Sequence, residues 1–259
     1  MSKKLVCLFL CVLIIFSLHG VVSASSDFNT TILGNRIKVE SAEYGEGMRL
    51  MVQYGNSKYY YSMKNNIEYL PIQLGKGTYE VKLLKNIEGN RYSVVDKEYL
   101  NITEVPQDVY LSSSQPVVWE NNEELLVLAK EIIKDKNTDE EKVKAVYEYI
   151  VSNIKYDKLK IENLPDDYVP DLTTIVNDKK GICYDYSALF AGILRSEGIP
   201  TKLVKGYKSD LKNYHAWNEV YLDGEWHIVD TTYDSAYVSR RLKTSMFKLD
   251  SDYNKIREY

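Results

Sequence analysis

The hydrophobic pattern of this chain changes its period near residue 107, and that change limits the folds open to it. From about residue 28 to 107, short runs rich in β-branched and aromatic residues alternate with turn-forming residues, as in strands. Beyond residue 107, apolar residues recur at helical spacing. The runs predicted to be strands are 36–39, 48–54, 58–63, 68–74, 78–85 and 91–102. We therefore expect an α+β chain, with a small all-β, sandwich-like domain (27–107) before a second domain (108–259).

Residues 1–24 predict a signal peptide. Lys3 and Lys4 precede an apolar run from Leu5 to Leu18, and Val22-Ser23-Ala24 offers a small-residue cleavage site. The alternative is an uncleaved membrane anchor, although the run is shorter than the roughly 20 residues that a membrane span needs. We expect a secreted or cell-surface protein.

Cysteine usage singles out one thiol. Cys7 and Cys11 lie inside the apolar run, so cleavage would leave Cys183 alone and would exclude an internal disulfide. A single cysteine in an exported chain is a reactive thiol, half of an intermolecular bridge, or a small buried residue.

Two helices are predicted at the start of the second domain, after a connection over 105–116. Asn121 or Asn122 can cap the first helix. Thr138 and Glu141 have the spacing of a capping box for the second helix. The segment 158–180 shows no clear period and is predicted to be a long loop.

Cys183 lies in the first turn of a further predicted helix, which ends at Gly198. A helix N-terminus carries roughly half a positive charge and unpaired amides. A thiolate at Cys183 would be stabilised there, and its amide could face a developing oxyanion. Gly181 would let the backbone approach a substrate closely. On chemistry alone, a nucleophile and a buried structural cysteine remain equally open.

A hairpin downstream of this helix relates a histidine to an aspartate. Asp223-Gly224 is a strong signal for a two-residue turn, which pairs Leu222 with Glu225. Extending that register makes His215 and Asp230 diagonal neighbours on one face, roughly 7–8 Å apart at the backbone. An imidazole and a carboxylate can close that gap, which suits an aspartate that orients a histidine.

Two alternatives stay open on this hairpin. Asp234 is also diagonal to His215 by the same count, although we expect it beyond the end of the strand. His227 falls on the opposite face. The hairpin therefore favours His215 over His227 only if Cys183 packs on the face that carries His215.

Taken together, these segments resemble the core of the transglutaminase-like superfamily. The order of a cysteine at a helix start, a histidine on one strand and an aspartate on the next carries the resemblance. The matching stretches are Gly181–Ser187, Leu194–Lys202, Gly206-Tyr207, His215–Val220 and Trp226–Thr232. The resemblance implies a papain-like domain, in which a helix with the cysteine packs on an antiparallel sheet. It also implies a triad of Cys183 as nucleophile, His215 as base and Asp230 as orienting group.

The resemblance implies an exported thiol acyl-transfer enzyme, a protease, amidase or transglutaminase, acting on amide bonds of proteins or peptides. Cell-surface protein or cell-wall peptide is the expected substrate.

We expect no cofactor and no metal, because the chain lacks a calcium-loop motif and zinc-binding cysteine pairs. The formal net charge of -4 comes without a basic patch, which argues against nucleic acid. The alternative is a catalytically silent binding or scaffold protein. Neither a partner for the β domain nor an oxyanion-hole side chain can be assigned from the sequence.

Overall fold

The computed structural model describes residues 27–104, 108–165 and 167–259, and the predicted signal peptide lies outside them. The N-terminal part (27–104) consists of two antiparallel sheets with strand orders β1-β2-β5 and β4-β3-β6-β7. Its strands are β1 (Asn29–Leu33), β2 (Arg36–Glu40), β3 (Met48–Tyr54), β4 (Ser57–Ser62), β5 (Ile67–Pro71), β6 (Gly77–Glu88) and β7 (Arg91–Ile102). Each run predicted from the sequence forms a strand. β1 was not predicted, and only Thr30 in it is buried, so it has no apolar alternation to detect.

The apolar core of the N-terminal part comes from alternate residues of its strands. A strand sends successive side chains to opposite faces, so every second residue can point inward. Residues that do so are fully or almost fully buried: Ile37, Val39, Leu50, Val52, Tyr79, Val81 and Leu83. The expected small all-β, sandwich-like arrangement is therefore confirmed.

The C-terminal part (108–165 and 167–259) combines helices with a four-stranded antiparallel sheet of order β12-β11-β10-β13. Its longer elements are α1 (Glu123–Ile132), α2 (Asp139–Asn153), α5 (Cys183–Ser196), β10 (Thr201–Lys208), β11 (His215–Leu222), β12 (Glu225–Val229), α6 (Thr231–Val238) and β13 (Tyr253–Glu258). Its shorter elements are β8 (Lys155–Tyr156), α3 (Lys158–Glu162), α4 (Leu172–Asp178) and β9 (Lys180–Gly181). The α+β class is confirmed. No helix in the described ranges is long and apolar enough to cross a membrane.

The helix starts follow the predicted caps. The side chain of Asn122 accepts a hydrogen bond from the amide of Leu125 and begins α1. Thr138 and Glu141 form both bonds of a capping box at the start of α2. These caps satisfy amides that have no acceptor inside the helix, and this fixes where each helix begins.

The loop predicted over 158–180 is wrong in part, because α3 and α4 lie within it. Asp157 accepts a hydrogen bond from the amide of Lys160 and begins α3. Asp171 accepts bonds from two amides at the start of α4, where Leu172 and Ile175 are buried. Helices this short show too few apolar repeats for a period to be visible, so their caps are the stronger signal.

Polar contacts tie the connection between the two parts to the N-terminal sheets. The side chain of Gln115 accepts a hydrogen bond from the amide of Ser62 at 3.0 Å and donates to the carbonyl of Ser62 at 2.8 Å. It also donates to a carboxylate oxygen of Glu68 at 2.6 Å. Buried apolar residues of both parts form one continuous cluster. The boundary between residues 107 and 108 stays a prediction.

Arg195 ties α5 to the opposite side of the same connection. Its guanidinium is buried and donates to the carbonyls of Ser112 at 3.1 Å, Thr201 at 2.8 Å and Tyr259 at 2.8 Å. Burial lowers the pKa of Arg195 to about 9, which still leaves the group charged at neutral pH. One side chain therefore holds together the helix that begins with Cys183, the connection and the sheet.

We predict that Arg195→Met lowers the free energy of unfolding by about 3 kcal/mol, because three buried carbonyls lose a charged donor. Urea denaturation followed by circular dichroism measures the change. Arg91→Met is the matched control, since the Arg91 side chain is 74% exposed, and it should change stability by less than about 0.5 kcal/mol. Equal effects in the two variants would contradict the role given to Arg195.

Candidate active site

Cys183 is the first residue of α5, and its position is fixed by Asp185. Asp185 is fully buried, and its Oδ2 accepts a hydrogen bond from the amide of Ile182 at 2.8 Å. The same oxygen accepts from Lys160 Nζ at 2.7 Å, and Oδ1 accepts a short bond from the hydroxyl of Tyr168. A buried carboxylate is stable only when it is paired in this way. Cys183 itself is a half-buried free thiol.

Gly181 has a packing role beside this turn. It is buried, and it pairs with Tyr156 in the short parallel ladder of β8 and β9. A Cβ atom at position 181 would lie 2.5 Å from the Cβ of Asp185, too close for any other residue. The sequence suggested that this glycine serves close approach of a substrate, but the contact that requires it is with Asp185.

His215 and Asp230 meet as the hairpin register predicts. Asp223 and Gly224 both have positive φ, 51° and 90°, and Leu222 pairs with Glu225. His215 Nε2 lies 2.8 Å from Asp230 Oδ2. Cys183 also raises the pKa of this ring, so the thiol lies near it, and because Nε2 faces Asp230, Nδ1 is the nitrogen left for the thiol. The three residues singled out in the sequence are therefore neighbours in the structure.

Asp230 is held by two further donors. The hydroxyl of Tyr253 donates to Oδ2 at 3.0 Å, and the amide of Tyr233 donates to Oδ1 at 3.0 Å at the start of α6. Burial and the charge of Asp230 raise the pKa of Tyr253, so its hydroxyl keeps the proton that it donates. The sequence analysis missed Tyr253. It lies on β13, and only a pairing between β13 and β10 brings it to the site.

The alternatives left open on the hairpin have other roles. Asp234 lies in α6, where it accepts hydrogen bonds from the hydroxyl of Tyr147 at 2.9 Å and from Lys248 Nζ at 2.6 Å. The ring of His227 packs on Phe247, with centroids 4.8 Å apart. Neither side chain forms a hydrogen bond with His215.

The structure shows which face of the sheet α5 covers, a point that the hairpin left open. Asn218 on β11 donates to the carbonyl of Ser187, so its side chain faces α5. Alternation along the strand places Trp217 and His215 on the other face. The body of α5 therefore covers the face opposite to the one that carries His215. His215 still meets Cys183, because each is the first residue of its element and the two meet at the end of the sheet.

The charge on His215 is set by competing effects. Burial disfavours the charged ring and lowers its pKa, but hydrogen bonds and negative charge from Asp230 and Cys183 outweigh burial. Together they raise the pKa of His215 from 6.5 to about 10. The ring of Trp217 lies near the imidazole, with centroids 6.4 Å apart and planes 26° apart. The site therefore favours an imidazolium at neutral pH.

The site can support nucleophilic attack by a thiol. The amide of Cys183, at the first helical position, has no acceptor within α5 and is free to face an oxyanion. The described residues contain no group of three or more histidine, cysteine or acidic side chains placed to hold a metal ion.

Comparison with known proteins identifies the region that carries this site. Residues 127–231 match the family model described as the transglutaminase-like superfamily. The human kyphoscoliosis peptidase is 31% identical over 121 residues, which cover 43% of this chain and 18% of that protein. The uncharacterized protein YebA of Bacillus subtilis (strain 168) is 31% identical over 118 residues, which cover 38% of this chain and 16% of that protein. This chain thus covers less than a fifth of either relative.

Among solved structures, the periplasmic domain of TgpA from Pseudomonas aeruginosa is similar with a TM-score of 0.40 and 15% identity. The similarity covers 81% of this chain and 96% of that chain. The region matched by the family model includes Cys183, His215 and Asp230. The resemblance seen in the sequence is confirmed, since residues 127–231 match the model of the transglutaminase-like superfamily.

Proposed function

We propose that this chain is an exported thiol enzyme that acts on amide bonds of proteins or peptides, with Cys183 as its nucleophile. His215 serves as general base and acid, and Asp230 orients its ring. The observation that supports the proposal is the line of contacts from the thiol at the start of α5, through His215, to the buried Asp230. The residue types and their order match the chemistry of cysteine-histidine hydrolases.

The proposed reaction begins with the ion pair of thiolate and imidazolium. The sulfur of Cys183 attacks the amide carbonyl carbon and forms a C–S bond, while charge develops on the carbonyl oxygen. The backbone amide of Cys183 stabilises that oxygen. The C–N bond then breaks, and His215 gives its Nδ1 proton to the departing amine, which leaves a thioester on Cys183.

The acyl group then goes to a second nucleophile. His215, now neutral, removes a proton from water, and the resulting attack on the thioester releases a carboxylic acid and restores the thiolate. An amine in place of water gives a new amide, so hydrolysis and transamidation share the same residues. Which acceptor prevails depends on access to the thioester.

Asp230 keeps the ring aligned through both steps. Its Oδ2 accepts from His215 and from Tyr253, so the carboxylate cannot rotate without breaking a second bond. A positioned, hydrogen-bonded carboxylate also stabilises the imidazolium. Because all three positions of the triad are filled, the silent scaffold is the less well supported alternative.

The export proposal rests on residues 1–24, which read as a signal peptide. Such a protein would meet cell-surface protein or cell-wall peptide, and we propose these as its substrates. The chain has no basic patch that would favour nucleic acid instead.

We predict that Cys183→Ala reduces release of amines from fluorescently labelled casein by at least about 10³-fold, because no other described group can form the thioester. A paired assay measures incorporation of an amine dye into the same substrate. His227→Ala is the matched control and should retain activity, since that ring packs on Phe247. Activity retained by a folded Cys183→Ala protein would refute the nucleophile.

The raised pKa of His215 predicts where activity declines. The step that releases the amine needs a protonated ring, so the rate should fall as pH rises through about 10 rather than near 6.5. For stability, a raised pKa means that the charged ring contributes fully below the unfolded value of 6.5, and the contribution is lost as pH approaches 10. Rates and urea unfolding across this range, with His215→Gln alongside, measure both effects. An alkaline decline centred near 6.5 would contradict the ion pair.

A further inference from the structure

A cavity of about 150 Å³ lies where the two parts of the chain meet. Tyr184, the residue after Cys183, forms part of its wall together with Lys205 on β10. Arg49 and Tyr61, on β3 and β4, form part of the wall on the N-terminal side. Its volume is below the roughly 300 Å³ of a site for a whole small molecule, and it suits a single side chain.

Lys205 is a basic side chain without an anionic partner in this cavity. Its Nζ lies 3.2 Å from the centroid of the Tyr184 ring and 5.5 Å from that of Tyr259. Within the described ranges, no carboxylate lies within ion-pair distance of it. By contrast Lys202, on the same strand, pairs with Glu219 at 3.5 Å and with Glu258 at 3.3 Å. A lysine held over a tyrosine ring but lacking a carboxylate is available to an anion from outside the chain.

The rest of the lining also leaves the cavity positive. The guanidinium of Arg49 lies over the ring of Tyr92, 5.0 Å from its centroid, and has no carboxylate partner among the described residues. Asp167 is the acid in the described lining, and its backbone carbonyl accepts a hydrogen bond from the hydroxyl of Ser62. The lining therefore holds two basic side chains, Arg49 and Lys205, and one carboxylate, and this balance favours a ligand that carries negative charge.

The charge of Lys205 is sensitive to what occupies the cavity. Burial lowers the pKa of Lys205 to about 7, and the negative charge of nearby Cys183 opposes that effect. A carboxylate in the cavity would stabilise the charged form further. Binding of an anion should therefore weaken once the pH rises past about 7.

A larger cavity lies next to this one along the same boundary. The neighbouring cavity, of about 420 Å³, shares Ser62, Gln115 and Val169 with the smaller one. Together they extend away from Tyr184, between the N-terminal sheets and the segment that leads to α4. An extended peptide could thus place one side chain beside Lys205 and continue along the boundary.

We infer that this cavity is a subsite for an acidic side chain of a peptide substrate, with Lys205 as its specificity-determining cation. The N-terminal β part would then complete the site by supplying Arg49 and the facing wall. This inference rests on the proposed function, because the subsite selects substrates for the same thiol.

The test compares two alkylating reagents of nearly equal size on the full protein. Iodoacetate carries a carboxylate and iodoacetamide does not, so the ratio of their rates at Cys183 reports the attraction of a carboxylate to the site. A change in the reactivity of the thiol alters both rates by the same factor, so their ratio is unaffected. The variants are Lys205→Met, Lys205→Arg and Arg49→Gln, with Lys144→Met on the exposed side of α2 as control.

We expect Lys205→Met to lower the ratio of iodoacetate to iodoacetamide rates by about threefold to tenfold at pH 6. Lys205→Arg should keep most of the ratio, Arg49→Gln should lower it less, and Lys144→Met should leave it unchanged. In the unsubstituted protein the ratio should fall as pH rises through about 7.

The outcomes separate this inference from the proposed function. Fast alkylation with the same ratio in Lys205→Met and Lys144→Met would overturn the acidic subsite and leave the thiol enzyme standing. Slow alkylation by both reagents in the native protein would overturn the thiol enzyme, and the subsite with it. If Lys205→Met does not fold, Lys205→Arg decides, because an arginine stays charged above pH 7. A ratio of iodoacetate to iodoacetamide rates that stays constant above about pH 7 in Lys205→Arg supports the subsite. A ratio that falls there as it does in the unsubstituted protein refutes it.

Discussion

The buried carboxylate of Asp230 is the group on which the geometry of the site depends. A carboxylate that is fully removed from water needs strong donors, and Asp230 draws them from three elements. His215 on β11, Tyr253 on β13 and the amide of Tyr233 at the start of α6 all meet its two oxygens. Because these elements converge on one group, the imidazole is held with one nitrogen toward the carboxylate and the other toward the thiol.

Asp185 positions the thiol of Cys183 much as Asp230 positions the imidazole of His215. It is also fully buried, and it holds the first turn of α5 through the amide of Ile182. Its other donors, Lys160 and Tyr168, come from the segment before α4. The thiol and the imidazole are thus positioned by two separate buried carboxylates, on the helix and on the sheet, which meet at one end of the sheet. This arrangement keeps the two groups aligned.

Local signals in the sequence predict much of this arrangement, and long-range pairing accounts for most of what they miss. The Asp223-Gly224 turn sets the register that brings His215 to Asp230, because turn chemistry depends on adjacent residues. Local turn signals cannot identify Tyr253, because its strand reaches the site only through long-range pairing with β10. That pairing includes a bulge at Lys205/Gly206. The turn signals also left open which face of the sheet α5 covers, since that is decided by packing rather than by alternation. The cavity beside Lys205 needs both parts of the chain and has no sequence signal.

The most direct test of the account is the rate at which iodoacetamide modifies Cys183 as a function of pH, measured beside His215→Ala. An ion pair predicts fast modification well below pH ~8.5, where ordinary thiols are mostly protonated, and a large loss of that rate in the variant. If both proteins instead react slowly at neutral pH and accelerate together only near pH ~8.5, Cys183 is an ordinary cysteine. That result would contradict the central claim.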